Sequence, residues 1–93
     1  MIRSFRDRRT ENILRRERVK GISVSVQRAA LRKLVMLDAA ESLDDLRVPP
    51  GNRLEKLRGD RKDQHSIRVN EQWRICFAWS NGDAYNVEMT DYH

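Results

Sequence analysis

Ninety-three residues suffice for one hydrophobic core and exclude a deep cleft between two lobes, so the chain reads as a single domain, 1–93, with any site on its surface. Hydrophobic residues make up 39% and charged ones 35%, with 2 Pro and 4 Gly, which describes a folded chain with an ionic exterior. Lys plus Arg total 19 against 14 Asp plus Glu, a net charge of +5 dominated by arginine; a guanidinium fork grips phosphate bidentately, so the balance points to nucleic acid before membrane.

The opening "MIRSFRDRRT" has no apolar run behind it, so neither a secretory signal nor a membrane span is expected. Ile2 to Phe5 suit a short edge strand. "TENILRRERVKG" predicts a first helix, with Thr10 near its start and Gly21 past its end. A second helix is predicted over 25–40, where Val26, Ala30, Leu34 and Leu37 recur at three and four spacing and Leu31 and Val35 widen the stripe. Ser42 then opens a short turn with Asp45 as a loose capping box. "RVPPGN" is the one loop rich in breakers and divides helical from extended sequence.

After it, "NRLEKLRGD" is an ambiguous short strand ending in a Gly59 turn. Three further strands follow at 66–69, 73–79 and 84–90, with Asn81-Gly82 as the hairpin signal between the last two. Alternation places Trp73, Ile75, Phe77 and Trp79 on one face of the middle strand, joined by Ile67, Val69, Tyr85, Val87 and Met89. Arg68, Arg74, Cys76, Ala78, Asn86 and Glu88 fall on the other, and continuing the count puts Tyr92 there too. The expectation is an α+β fold: two N-terminal helices packed on one face of a small antiparallel sheet, with a polar, arginine-bearing face left open.

No Gly-rich phosphate loop, paired metal-binding histidines or nucleophile elbow is present, and Cys76, as the only cysteine, forms no intramolecular disulfide. No cofactor or metal is expected, and the compartment is expected to be the cytosol. What remains is a constellation. Arg74 sits mid-strand between core positions, where an unpaired charge is poorly placed unless its face has a task. Arg58 beside the Gly59 turn, with Lys56, Arg61 and Arg68, extends the basic surface, although Arg61 and Lys62 suit an ordinary solvated charge or salt bridge. Metal-free RNA cleavage needs a base for the ribose 2′-hydroxyl, a cation for the phosphate and an acid for the leaving 5′-oxygen. Arg74 and Arg58 fit the cationic task; Glu55, Asp91, Tyr92 and His93 are the available proton carriers. His65 suits a turn, and parity with Ile75 and Phe77 makes Trp73 and Trp79 core residues rather than base-stacking platforms.

From Leu57 to His93, "LRGDRKDQHSIRVNEQWRICFAWSNGDAYNVEMTDYH" resembles the C-terminal half of HigB-type toxins of the RelE superfamily. "SIRVNEQWRICF" and "VEMTDYH" are its strongest pieces, and "MIRSF", "MLDAA" and "LRVPPGNRLEKL" extend the resemblance over nearly the whole chain. The resemblance implies a RelE-like fold and a ribosome-dependent endoribonuclease that cleaves mRNA in the ribosomal A site without metal or cofactor. It also implies a HigA-type helix-turn-helix antitoxin as partner, with operator DNA reached only through that antitoxin. Carried over by position, the basic residue before Gly-Asp is Arg58, the arginine after the strand tryptophan is Arg74, and the terminal Asp-Tyr-His is Asp91, Tyr92 and His93. Some family members have a histidine where this chain has Glu55, which makes Glu55 an alternative proton acceptor. The basic segment "RRERVK", including Arg15 and Arg16, is a candidate ribosome contact on a helix face. Two other readings share the fold: a ParE-like toxin that poisons gyrase without catalysis, and a non-toxic RNA-binding module.

Overall fold

Asp7, not Thr10, starts the first helix. In the computed structural model, which describes residues 1–61 and 63–91, α1 spans Arg8–Leu14, and the Asp7 carboxylate accepts the Thr10 amide at 3.0 Å. The helix closes seven residues before Gly21. Arg16 N–H reaches Ile13 O at 3.0 Å and Glu17 N–H reaches Asn12 O at 2.9 Å, with Arg16 at φ 66°: a Schellman closure made by an arginine in the left-handed region. The sequence carries no glycine there to announce it. Arg15 and Arg16 therefore lie at the exit of α1, and "RRERVK" is not a helix face.

α2 spans Val24–Ala39, one residue earlier at each end than its periodicity suggests, because the Ser23 hydroxyl caps it by accepting the Val26 amide at 3.2 Å. Ala30, Leu34 and Leu37 are fully buried, whereas Val35 is 45% exposed and lies outside the stripe. Gln27 locks the connection between the helices, accepting from Val19 N–H at 3.1 Å and donating to Val19 O at 2.9 Å and Ile22 O at 2.7 Å. Beyond α2, Asp45 accepts the Glu41 and Ser42 amides at 2.8 and 3.1 Å, which holds its carboxyl below the usual range and caps the 3-10 turn Leu43–Arg47. The buried Asn52 donates to Leu46 O at 3.1 Å and accepts from Lys33 Nζ, pinning the Pro-rich loop to α2.

Four strands follow, β1 (Glu55–Lys56), β2 (Gln64–Arg68), β3 (Trp73–Ser80) and β4 (Asp83–Asp91), antiparallel in the order β1-β2-β3-β4. Only Glu55 and Lys56 of the ambiguous "NRLEKLRGD" are extended; Gly59–Arg61 is a 3-10 turn. Asn81 and Gly82 take φ 51° and 82°, the left-handed pair that a two-residue hairpin needs. The N-terminal segment runs parallel to the outer edge of β4 through bridges at Ile2 and Phe5, with Arg3 N–H on Ala84 O at 2.8 Å and Val87 N–H on Ser4 O at 3.1 Å. That edge is thereby closed to strand addition. Further along, the fully buried Thr10 of α1 accepts the Met89 amide on Oγ1 at 2.9 Å.

Both helices cover one side of the sheet, where Ile67, Ile75 and Met89 form a cross-strand row with Phe77 and Val87. Trp73 and Trp79 belong to this side: Phe77 meets Trp79 edge-on at 6.3 Å, and the Arg9 guanidinium lies 5.4 Å from the Trp73 ring centroid. The architecture is the α+β fold expected of the RelE-like toxins, two helices on an antiparallel sheet. Tyr85 departs from the expectation. The β3–β4 register shifts between Cys76 and Ala78, and Asn86 at φ 53° takes up the extra residue, so Tyr85 pairs with Ala78 on the far side while Ala84 joins the core. His65 also differs, lying within β2 opposite Phe77 rather than in a turn.

Candidate functional site

On the side away from the helices, Arg68, Arg74 and Thr90 stand opposite one another across β2, β3 and β4. The Arg74 side chain is only 12% exposed, and its guanidinium is held from two directions: Nε donates to the fully buried Ser66 Oγ at 2.9 Å, and Nη2 donates to the Arg53 carbonyl at 2.7 Å. Glu55 Oε2 lies 4.0 Å from the same Nη2. Arg53 presents its carbonyl from a left-handed conformation at φ 46°, directly after the Pro50–Asn52 turn. Nη1 of Arg74 has no partner among the described residues, and Thr90 Oγ1, on the strand beside it, is buried and unpaired. A cation on a flexible stem has been made a fixed one with a donor left over.

Arg53, Arg68, Asn70, Glu71 and Arg74 line one shallow concavity of about 530 Å³, and Arg68 Nε donates to Asn70 O at 3.1 Å. A second concavity of about 620 Å³ is lined by Lys56, Leu57, Arg58, Gly59 and Asp63, and places the exposed Arg58 at the end of β1. Among the described residues, Arg53, Lys56, Arg58 and Arg68 form no ion pair. Arg61 differs: Nη1 donates to Gln64 Oε1 and Glu88 Oε2, both at 3.1 Å, crossing from β2 to β4 over the middle strand. Glu88 also faces Arg6 Nε at 3.5 Å. Of the two ordinary roles expected of Arg61, a solvated charge or a salt bridge, the structure shows the salt bridge, and the half-open face has a covered centre in which Ser66 and Cys76 are fully buried.

Of the other sequence candidates, Asp91 stands opposite Trp73, on the helix side of the register, and accepts from Gln72 Nε2 at 3.0 Å. Tyr92 and His93, and Lys62, lie outside the described residues. Arg15 pairs with Glu11 at 3.0 Å and Arg16 lines a concavity with Ile13, Val24 and Leu31, so both belong to the helix layer rather than to Arg74's surroundings. His65 stacks on Phe77 at 6.1 Å, and burial, then the Lys56 charge, pushes its imidazole below the usual value. The structure thus brings together Arg74, Glu55 and Arg68 from the expected set. It adds Ser66 and Arg53, which the sequence reading did not name: strand parity would have put Ser66 on Arg74's face, whereas no spacing signals a loop carbonyl.

Among the described residues no three His, Cys, Asp or Glu side chains converge as a metal site, and no helix is long and apolar enough to cross a membrane. The family model for HigB-like toxins, "RelE-like toxin of type II toxin-antitoxin system HigB", matches residues 3–93. The chain belongs to this family. It is 45% identical over 90 residues to Toxin HigB-1 of Vibrio cholerae serotype O1, covering 96% of this chain and 95% of that protein. It is 31% identical over 93 residues to Endoribonuclease HigB of Proteus vulgaris, covering all of both chains. An uncharacterised Haemophilus influenzae protein is 38% identical over 68 residues, 73% of this chain and 67% of that one. As a toxin of the type II class, this HigB-like protein has an antitoxin for its partner.

Proposed function

We propose that residues 1–93 form one toxin domain that acts as a ribosome-dependent endoribonuclease, cutting mRNA in the A site with protein groups alone. The observation that carries the reading is Arg74, a guanidinium fixed by Ser66 and the Arg53 carbonyl, with no partner for Nη1 among the described residues and Glu55 Oε2 at 4.0 Å. In the reaction, a base takes the ribose 2′-proton, the 2′-oxygen attacks phosphorus, and the 5′-oxygen leaves with a proton from an acid, giving a 2′,3′-cyclic phosphate. Arg74, assisted by Arg58, neutralises the charge that builds on the phosphate; such a donor is worth ~10²–10³ in rate. Glu55 and His93 are the candidate proton acceptors, and Asp91 and Tyr92 support proton transfer to the leaving oxygen. The name of the Proteus vulgaris relative, Endoribonuclease HigB, supports the same chemistry. The partner in this reading is a HigA-type helix-turn-helix antitoxin through which the pair reaches operator DNA, and the place of action is the cytosol, where ribosomes translate.

The test is to express the toxin without antitoxin and map mRNA 5′ ends from ribosome-bound and free transcripts. Ends should accumulate within translated codons on ribosome-bound mRNA. Growth arrest with intact transcripts would exclude cleavage and favour a ParE-like gyrase poison; unimpaired growth would favour an RNA-binding module.

A further inference from the structure

Arg68 and Arg74 are direct cross-strand partners in the β2–β3 ladder, both on the side away from the helices. Like charges in that relation repel, and a sheet built only for stability would place a carboxylate or a neutral β-branched residue at one of the two positions. A third guanidinium, Arg53, lines the same concavity of about 530 Å³, with Glu71 as its one acidic lining residue. Among the described residues, the only carboxylate paired with any of the three is Glu55, at 4.0 Å from Arg74. Arg53 is also tied to Arg74 through its carbonyl, so loop and strand cations keep a common frame. Elsewhere on the sheet the chain matches its arginines, Arg6 and Arg61 sharing Glu88 and Arg3 meeting Asp83 at 3.2 Å. Among the described residues, the open face therefore keeps its uncompensated cations on the β1–β2 side, in this concavity and at Lys56 and Arg58 in the neighbouring one. Glu71 and the Arg68 bond to the Asn70 carbonyl interrupt the basic lining of this concavity.

We propose that Arg53 and Arg68, beside Arg74, form a phosphate subsite that holds the RNA backbone at a phosphodiester next to the one cleaved. The inference rests on the nuclease reading for the identity of the strand. Arg53 is its new element. Its left-handed backbone makes asparagine the appropriate neutral replacement, since asparagine tolerates that conformation and keeps the carbonyl on Arg74.

The experiment measures binding of a 2′-O-methyl RNA dodecamer, which lacks the attacking hydroxyl, by fluorescence anisotropy over a salt series, with thermal melts on the same samples. Each of Arg53→Asn and Arg68→Thr should lower the slope of log K against log salt by about 0.7, which is roughly fourfold in affinity near ~0.15 M salt. Arg68→Thr should also melt at a higher temperature than wild type, because the repulsion with Arg74 is gone. Glu71→Gln should tighten binding. Folded variants whose slope and affinity equal wild type overturn the subsite. Cleavage on ribosomes is scored separately: altered slopes without any wild-type cleavage remove the nuclease reading and leave the phosphate subsite, whereas cleavage with unaltered slopes does the reverse.

Discussion

The two edges of the sheet treat charge in opposite ways. Along β4 every arginine of the open side is matched: Arg3 and the N-terminal ammonium lie 3.2 Å from Asp83, and Arg6 and Arg61 converge on Glu88 at 3.5 and 3.1 Å. Along β1 and β2, among the described residues, Arg53, Lys56, Arg58 and Arg68 have no carboxylate, and Arg74 has Glu55 alone. The first edge is where the N-terminal segment and α1 are fastened to the sheet; the second is spanned only by side chains and loop. A protein of net charge +5 that spent its acids evenly would show no such contrast. Asp83 and Glu88 instead pair with the cations of the fastened edge, while on the other edge, among the described residues, the cations stay largely unpaired and are kept for a ligand.

The comparison is broken most severely at Arg74. Arg74→Ala should lower single-turnover cleavage by ~10²–10³-fold with the fold retained by circular dichroism, and Arg74→Lys should rescue little, because one ammonium cannot bond Ser66 Oγ and the Arg53 carbonyl while reaching phosphate. Wild-type cleavage by the lysine variant would contradict the need for a fixed fork. On the fastened edge the expected losses are of stability. Thr10→Val keeps shape but leaves the Met89 amide unpaired in the core, and should cost about 1–3 kcal/mol by denaturant unfolding.

Smaller effects follow from titration. Burial opposes ionisation of Asp83, but its hydrogen bonds and charge contacts with Arg3 and the N-terminal ammonium prevail and hold its carboxyl below the ordinary 3.8. The stabilisation is present above 3.8 and is lost as pH falls through the lowered folded value; Asp83→Asn should melt lower at neutral pH and lose less on acidification. His65 has the smallest effect and also favours neutral pH. Its imidazole is held below 6.5, so the unfolded chain binds the proton more readily and stability declines as pH drops through that value. His65→Gln should flatten that part of the melting-temperature profile, and an unchanged profile would assign the decline to other groups.

Much of this contrast is legible in the sequence, because alternation alone separates Trp73, Ile75 and Phe77 from Arg74 and the hairpin turn is written as Asn81-Gly82. What is not legible has local backbone causes. Asn86 absorbs an extra residue at φ 53° and turns Tyr85 out of the core, and Arg16 at φ 66° ends α1 where helix propensity would carry it on. Both are left-handed residues other than glycine, which composition does not flag. The Arg53 carbonyl is invisible for the same reason: its role depends on φ 46° after a Pro-rich turn, not on its side chain. Asp91 follows the predicted strand 84–90 in the count, and the register keeps it on the helix side opposite Trp73, the same parity as Met89.

The most direct measurement uses purified toxin and ribosomes carrying a defined mRNA with an empty A site, comparing wild type with Arg74→Ala by the fraction of message cut in one turnover. The account predicts cleavage at the A-site codon by wild type, no cleavage of the same message off the ribosome, and a loss of at least ~10²-fold in the variant. Equal cleavage by the two proteins, or none by wild type, would contradict it.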